Sequence, residues 1–225
     1  MALAGVAFVV LEGGDAFPAH RFLIPVLPLL YLLVACGAVQ AGERLGNKNL
    51  FVRGILLAGL LLLASLHELQ MVRDAQREAS GANLFTGKLK SAAGALKREF
   101  PPGTSIALNP VGLIPYETGF RTYDMLGLTD RTIGRTPIPD AGSGQAGHER
   151  GNGAYILEQR PDLIFAGNVL VLPEMPARLR FPPAAHRSER EIFASPELRK
   201  LYTAQMLTLP DGRILAFLRR KDSIP

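Results

Sequence analysis

The residues from Phe22 to Gly42 contain no charged side chain. About 20 consecutive apolar residues are enough for one helical crossing of a bilayer, so this run predicts a membrane span over residues 22–42. A second apolar run, GILLAGLLLLASLH from Gly54 to His67, follows Leu50, Phe51 and Val52. It reaches span length over residues 50–67 only if Arg53 extends its cation to the interface. Met1 to Leu11 is a third apolar run, too short to cross alone and followed by polar EGGD rather than a cleavage pattern, so it reads as part of a longer helix. The fold these runs predict is a membrane α-helical hairpin, two spans plus a partial helix over residues 1–67. An amphipathic helical connector over 68–100 and an extracytoplasmic α/β domain over 101–225 follow it.

The hydrophobic fraction, 48%, is concentrated in the first third of the chain. The single cysteine, Cys36, lies in the first run, so no internal disulfide is possible. A net charge of +5 and a pI near 9.6 are spread among acidic residues, with no basic run interleaved with aromatics, which argues against nucleic acid as a partner. Arg44 and Lys48 in the link between the two runs place that link in the cytoplasm by the positive-inside rule. The remainder then lies outside the cytoplasm.

Leu89, Ala92, Ala93, Leu96 and Phe100 recur at helical spacing, as do Leu69, Val72, Ala75 and Ala79, with a break expected near Ser80 to Asn83. Pro101, Pro102 and Gly103 end the helical pattern. TSIALN reads as a strand, PVGLIPYETG as a turn or short helix, RTYDML as a strand closing on Asp124, Ala154 to Gln159 as a helix, and DLIFAG as a buried strand. This alternation predicts a small, mainly parallel sheet. YTAQMLTLPDGRILAFLRR adds a C-terminal hairpin about Pro210, Asp211 and Gly212.

Chemistry-bearing residues gather between Tyr123 and Phe165. His148 and Glu149 sit in a glycine-rich loop from Gly142 to Gly153. An imidazole beside a carboxylate suits acid/base work or a ligand contact, whereas simple hydrogen bonding that orders the glycines is the plainer reading. No histidine stands at metal-ligand spacing, and GSGQAG lacks the lysine of a nucleotide loop, so neither a metal nor a cofactor is expected. Asp124 and Asp130 are a possible carboxylate pair, or a strand-end residue and a helix cap. Asp15 and Arg21 flank a Gly turn before the first run, where they either cap and position the helix or clamp a lipid-linked phosphate.

The segments GGDAFPAHRFLIPVLPLL, YDMLGLTDRTI, GHE and QRPDLI together resemble the C-terminal portion of a bacterial multi-span, GT-C type glycosyltransferase family. That family is related to the mycobacterial terminal arabinofuranosyltransferases. The resemblance implies a bacterial inner-membrane protein of several passes, with a polyprenyl-phosphate sugar donor, an envelope glycan acceptor and membrane lipid as the surrounding partner. Asp15, Pro18 and Arg21 match the family's GGD-x-x-P-x-x-R pattern and would lie on the donor side. Asp124, Asp130, Arg131, His148 and Glu149 match its soluble-domain pattern and would lie on the acceptor side. The family's catalytic acid belongs to an earlier loop, upstream of this chain, so no catalytic residue is assigned. A non-enzymatic envelope protein whose α/β domain binds a glycan or a protein is the alternative.

Overall fold

The computed structural model describes residues 2–11, 22–44, 50–142, 144 and 147–223. The chain divides into two compact units, residues 1–82 and residues 83–225.

The first unit holds helix α1 (Ala2–Leu11), helix α2 (Leu27–Arg44) and the beginning of helix α3 (Leu50–Glu99). Among the described residues no helix is long and apolar enough to cross a membrane. This overturns the expected membrane hairpin and the multi-pass inner-membrane placement built on it. The physical reason for α2 is its start. The charge-free run opens at Phe22, but residues 22–26 form turns and the helix begins at Leu27. Its apolar part closes at Val39, before Gln40, Glu43 and Arg44. At 1.5 Å per residue that part is about 20 Å long, short of the roughly 30 Å of a hydrocarbon core. In α3 the apolar stretch lies between Arg53 and His67, and at 1.5 Å per residue it is likewise about 20 Å long. Helix α2 buries none of its residues, and Leu32, Leu33 and Val34 are exposed.

Helix α3 runs without a break through Ser80 to Asn83, where a break was expected. Gly81 and Gly87 each have open space around them, and a lone glycine costs a helix only about 1 kcal/mol. Leu69 and Val72 are exposed, whereas Leu89, Ala92, Ala93 and Leu96 are buried, so the amphipathic pattern marks a core only in the second unit.

In that unit, strand β1 (Ser105–Leu108) is followed by helix α4 (Leu113–Thr118), strand β2 (Arg121–Asp124) and the short helix α5 (Arg131–Gly134). Helix α6 (Gly153–Gln159), strands β3 (Leu163–Ile164) and β4 (Val171–Leu172), helices α7 (Arg187–Ala194) and α8 (Pro196–Leu201), and strands β5 (Tyr202–Thr208) and β6 (Ile214–Arg220) complete it. The sheet has six strands in the order β2-β1-β3-β6-β4, with β5 also on β6. Strand β1 pairs parallel with β2 and β3, while β6 pairs antiparallel with β3, β4 and β5. The sheet is therefore mixed rather than mainly parallel. The cause is β6: its run ILAFL is buried along its length, and such a strand satisfies both faces only inside a sheet, so the C-terminal hairpin enters the sheet instead of flanking it.

Side chains alternate across this sheet as the pleat requires. Ile106, Leu108, Leu163, Phe165, Leu215 and Phe217 face the buried stripe of α3 and Phe100. Ala107, Tyr123, Ile164 and Leu218 face the opposite way, toward Ile156 of α6, Ile192 of α7 and Leu198 of α8. One sheet thus sits between two helical layers, and the second layer brings the start of α7 beside the loops that follow β2 and precede α6.

Candidate functional site

Strand β2 ends on Asp124, which has no solvent exposure. Its Oδ1 accepts from Leu126 N at 2.9 Å, and its Oδ2 from Thr129 N at 2.6 Å and Thr129 Oγ1 at 3.2 Å. The carboxylate is wrapped by its own loop. Asp130 caps α5 by accepting from Thr132 N and Ile133 N, and its other oxygen lies 3.4 Å from the Tyr155 hydroxyl. The two aspartates shape one turn and do not face each other as an acid/base pair. Arg131 is exposed at the first position of α5. The same turn is closed by glycine: a Cβ on Gly127 would meet Gly134 N at 2.6 Å, and Gly127 itself has φ +77°.

His148 and Glu149 go elsewhere. Glu149 Oε1 accepts from Gly142 N at 2.7 Å and Gly144 N at 2.9 Å, so it folds the glycine loop around itself. The His148 ring stacks on His186, the residue just before α7, with centroids 5.9 Å apart and planes inclined by 29°. These residues line a cavity of about 230 Å³ together with Asp140, Arg187 and Arg190. Arg187 Nε donates to Glu191 Oε1 at 2.8 Å, and its Nη1 stands 3.8 Å from Asp140 Oδ1. Arg190 Nη1 donates to the Ala185 carbonyl at 2.7 Å. Burial lowers the His186 pKa; the His148 and Arg190 charges act in the same direction and Glu189 acts against it.

The walls of the cavity are held from behind. Ser188, fully buried, donates to Met125 O at 2.7 Å and accepts from Asn152 N at 3.0 Å, tying α7 to the end of β2 and to the cap of α6. Gly153 N donates to Glu191 Oε2 at 2.6 Å. Glu189, buried at the third position of α7, accepts at Oε1 from Asn109 Nδ2 at 2.8 Å and from Gly167 N. Its Oε2 accepts from His186 N at 3.4 Å. Asn109, at the end of β1, therefore joins that strand to the loop after β3 and to α7.

Of the residues singled out from sequence, the cavity takes His148 and Glu149, while Asp124, Asp130 and Arg131 belong to the neighbouring turn. Asp15 and Arg21 lie outside the described residues. His186, Arg187 and Arg190 were missed; the signal available was a polar residue three positions before Glu189, the spacing of a helix start with a reciprocal cap. No group of three or more His, Cys, Asp or Glu side chains among the described residues is placed to hold a metal ion.

Residues 72–209 match the family described as Domain of unknown function (DUF8728). The chain belongs to the DUF8728 family. No curated protein and no solved structure matches it. The matched stretch runs from α3 through β5. In this DUF8728 member the cavity, the glycine loop and α7 all fall within it.

Proposed function

We propose that the α/β unit binds a saccharide in the cavity between the glycine loop and the start of α7, as the acceptor-binding part of a system that transfers sugar from a polyprenyl-phosphate donor to an envelope glycan. The observation that carries this reading is the mixed lining of the 230 Å³ cavity, in which imidazole, guanidinium and carboxylate groups stand together. A sugar ring offers hydroxyls that donate and accept at once, and a small polar site of this kind matches it better than it matches an apolar ligand. The resemblance of YDMLGLTDRTI, GHE and QRPDLI to the glycosyltransferase family supports the acceptor side. Asp15 and Arg21, the expected donor-side residues, lie outside the described residues, so the proposal is confined to the acceptor.

A second reading, glycan binding without catalysis, draws support from the carboxylates. Asp124, Asp130 and Glu149 each accept from backbone amides, which holds them as structural acceptors rather than as bases.

Titration of the full chain with envelope-type oligosaccharides by calorimetry tests both readings. Saccharide binding weakened about two- to twelvefold by His148→Gln or Arg190→Ala is expected, the loss of one hydrogen bond of about 0.5–1.5 kcal/mol. Absence of binding by the folded chain, or binding indifferent to both substitutions, overturns the site. Transfer to the bound glycan that depends on this chain when polyprenyl-phosphate sugar and a cell-envelope extract are supplied supports the first reading, and binding with transfer indifferent to the chain supports the second.

A further inference from the structure

Strand β5 has an open edge. It pairs with β6 from Tyr202↔Arg220 to Thr208↔Ile214 in an unbroken register, so it carries no bulge, and none of its residues has positive φ. Among the described residues no strand pairs with its other side. Its sequence, YTAQMLT, contains neither charge nor proline, and Thr203, Ala204, Met206 and Thr208 are exposed. Sheet edges are ordinarily guarded by charge, proline, bulges or shortness. The sheet's β2 end has such a guard: β2 is four residues long and carries Arg121. Strand β5 has none.

We propose that β5 pairs antiparallel with β5 of a second copy of this chain, about a two-fold axis at Gln205. This register alone pairs all seven residues, setting Tyr202 opposite Thr208 of the second copy, Thr203 opposite Leu207, and Ala204 opposite Met206. Opposed residues of an antiparallel pair share a face. Ala204 and Met206 of both copies therefore meet on one face, where each chain alone leaves them exposed, with Met206 at 38%. A slip by one residue would separate them onto different faces. The absence of charge means that a copy meets no like charge along the seam. The ends do not oppose the pairing: Arg199 and Lys200 precede the strand, Lys200 paired with Glu197, and the hairpin end that follows it is neutral, with Asp211 paired to Arg213 at 2.6 Å, so antiparallel pairing sets no like charge against the basic end. A charged extended peptide would instead set unpaired charge along this uncharged strand.

Cysteine cross-linking of the full chain tests the register, because Cys36 is the only natural cysteine. In a Cys36→Ser background, Gln205→Cys is expected to form a disulfide-linked dimer, since directly opposed Cα atoms lie about 4.5–5.5 Å apart, within disulfide range. Thr208→Cys should not cross-link, because six residues of offset place its two copies about 20 Å apart. In sedimentation experiments, Gln205→Lys should weaken dimerisation about tenfold by opposing two ammonium groups, and mixing it with Gln205→Glu should restore it. A chain that stays monomeric, cross-linking that is equal at both positions, or a dimer indifferent to Gln205→Lys overturns the proposal.

Discussion

His148 and His186 stack with their ring centroids 5.9 Å apart, one on the glycine loop and the other at the entry to α7. The contact joins the two walls of the cavity through a pair of imidazole rings. Whatever alters one ring's charge is felt by the other wall.

The pH dependence of that contact has a definite sign. The His186 pKa is lowered from 6.5, first by burial and then by the fields of His148 and Arg190, with Glu189 opposing. A depressed pKa favours the neutral ring in the folded state, so its contribution to stability is complete above pH 6.5 and is lost as pH falls from 6.5 through the folded value. Proton NMR titration should place His186 below the ordinary imidazole value, and His148→Gln should move it upward. A His186 midpoint at or above 6.5 would contradict the burial seen here.

Glycines in the loop separate two physical demands. A Cβ on Gly153 would lie 2.6 Å from Glu191 Cβ, 2.7 Å from Ser188 O and 2.8 Å from Ile192 N, so Gly153→Ala must push α6 away from α7. Destabilisation of about 1–3 kcal/mol is expected from this overpacking. Gly142 has open space around it but a φ of +87°, and Gly142→Ala should cost only the conformational strain, about 1 kcal/mol. Chemical denaturation of both variants checks the order; equal losses would show that steric contact with α7 is not what Gly153 avoids.

The aspartates of the β2 turn are expected to matter for stability rather than for ligand. Asp124→Asn replaces an oxygen that accepts from Leu126 N or from Thr129 with an NH2 that cannot, leaving a buried donor unpaired at a cost of about 1–3 kcal/mol. Asp130→Ala removes a helix cap, about 0.5–2 kcal/mol. Denaturation midpoints should fall in both, with saccharide affinity of the folded protein changed less than in Arg190→Ala. The reverse pattern would return the aspartates to the binding site.

The sequence made β1, β2, α6, β3 and the C-terminal hairpin legible because each is bounded by proline, glycine or a polar cap, and because alternation reports burial directly. It could not show that β6 enters the sheet beside β3, since strand order depends on long-range pairing that local pattern does not encode. The apolar run from Phe22 misled for a related reason. Composition gave its hydrophobicity, but the helix start at Leu27 and the polar turn at its end decided its usable length. At the site, the glycine loop announced itself, while His186, Arg187 and Arg190 reach it only through the packing of α7 on α6. Gly151 and Gly153 allow that packing: Cβ atoms on them would strike Ser188 and Ile192.

The junction of Asn109 with Glu189 yields the last prediction. Glu189 Oε1 accepts from Asn109 Nδ2 at 2.8 Å and also from Gly167 N, and both side chains are buried at 2% exposure. Asn109 Nδ2 keeps a second acceptor in Gly167 O at 3.1 Å, so truncating Glu189 leaves Gly167 N as the more exposed loss. Glu189→Ala should therefore destabilise by about 3 kcal/mol, with backbone exchange at Gly167 accelerated, since buried donors left unpaired cost about 1–3 kcal/mol each. Asn109→Ala should cost less on the helix side but expose the same carboxylate. Because the two groups share one hydrogen bond in a buried network, the double variant should lose less than the sum of the singles, with a coupling of about 0.5–3 kcal/mol. Denaturant unfolding of the four proteins in this cycle measures the coupling, and strict additivity would mean that α7 is held against the strand ends by its apolar face alone.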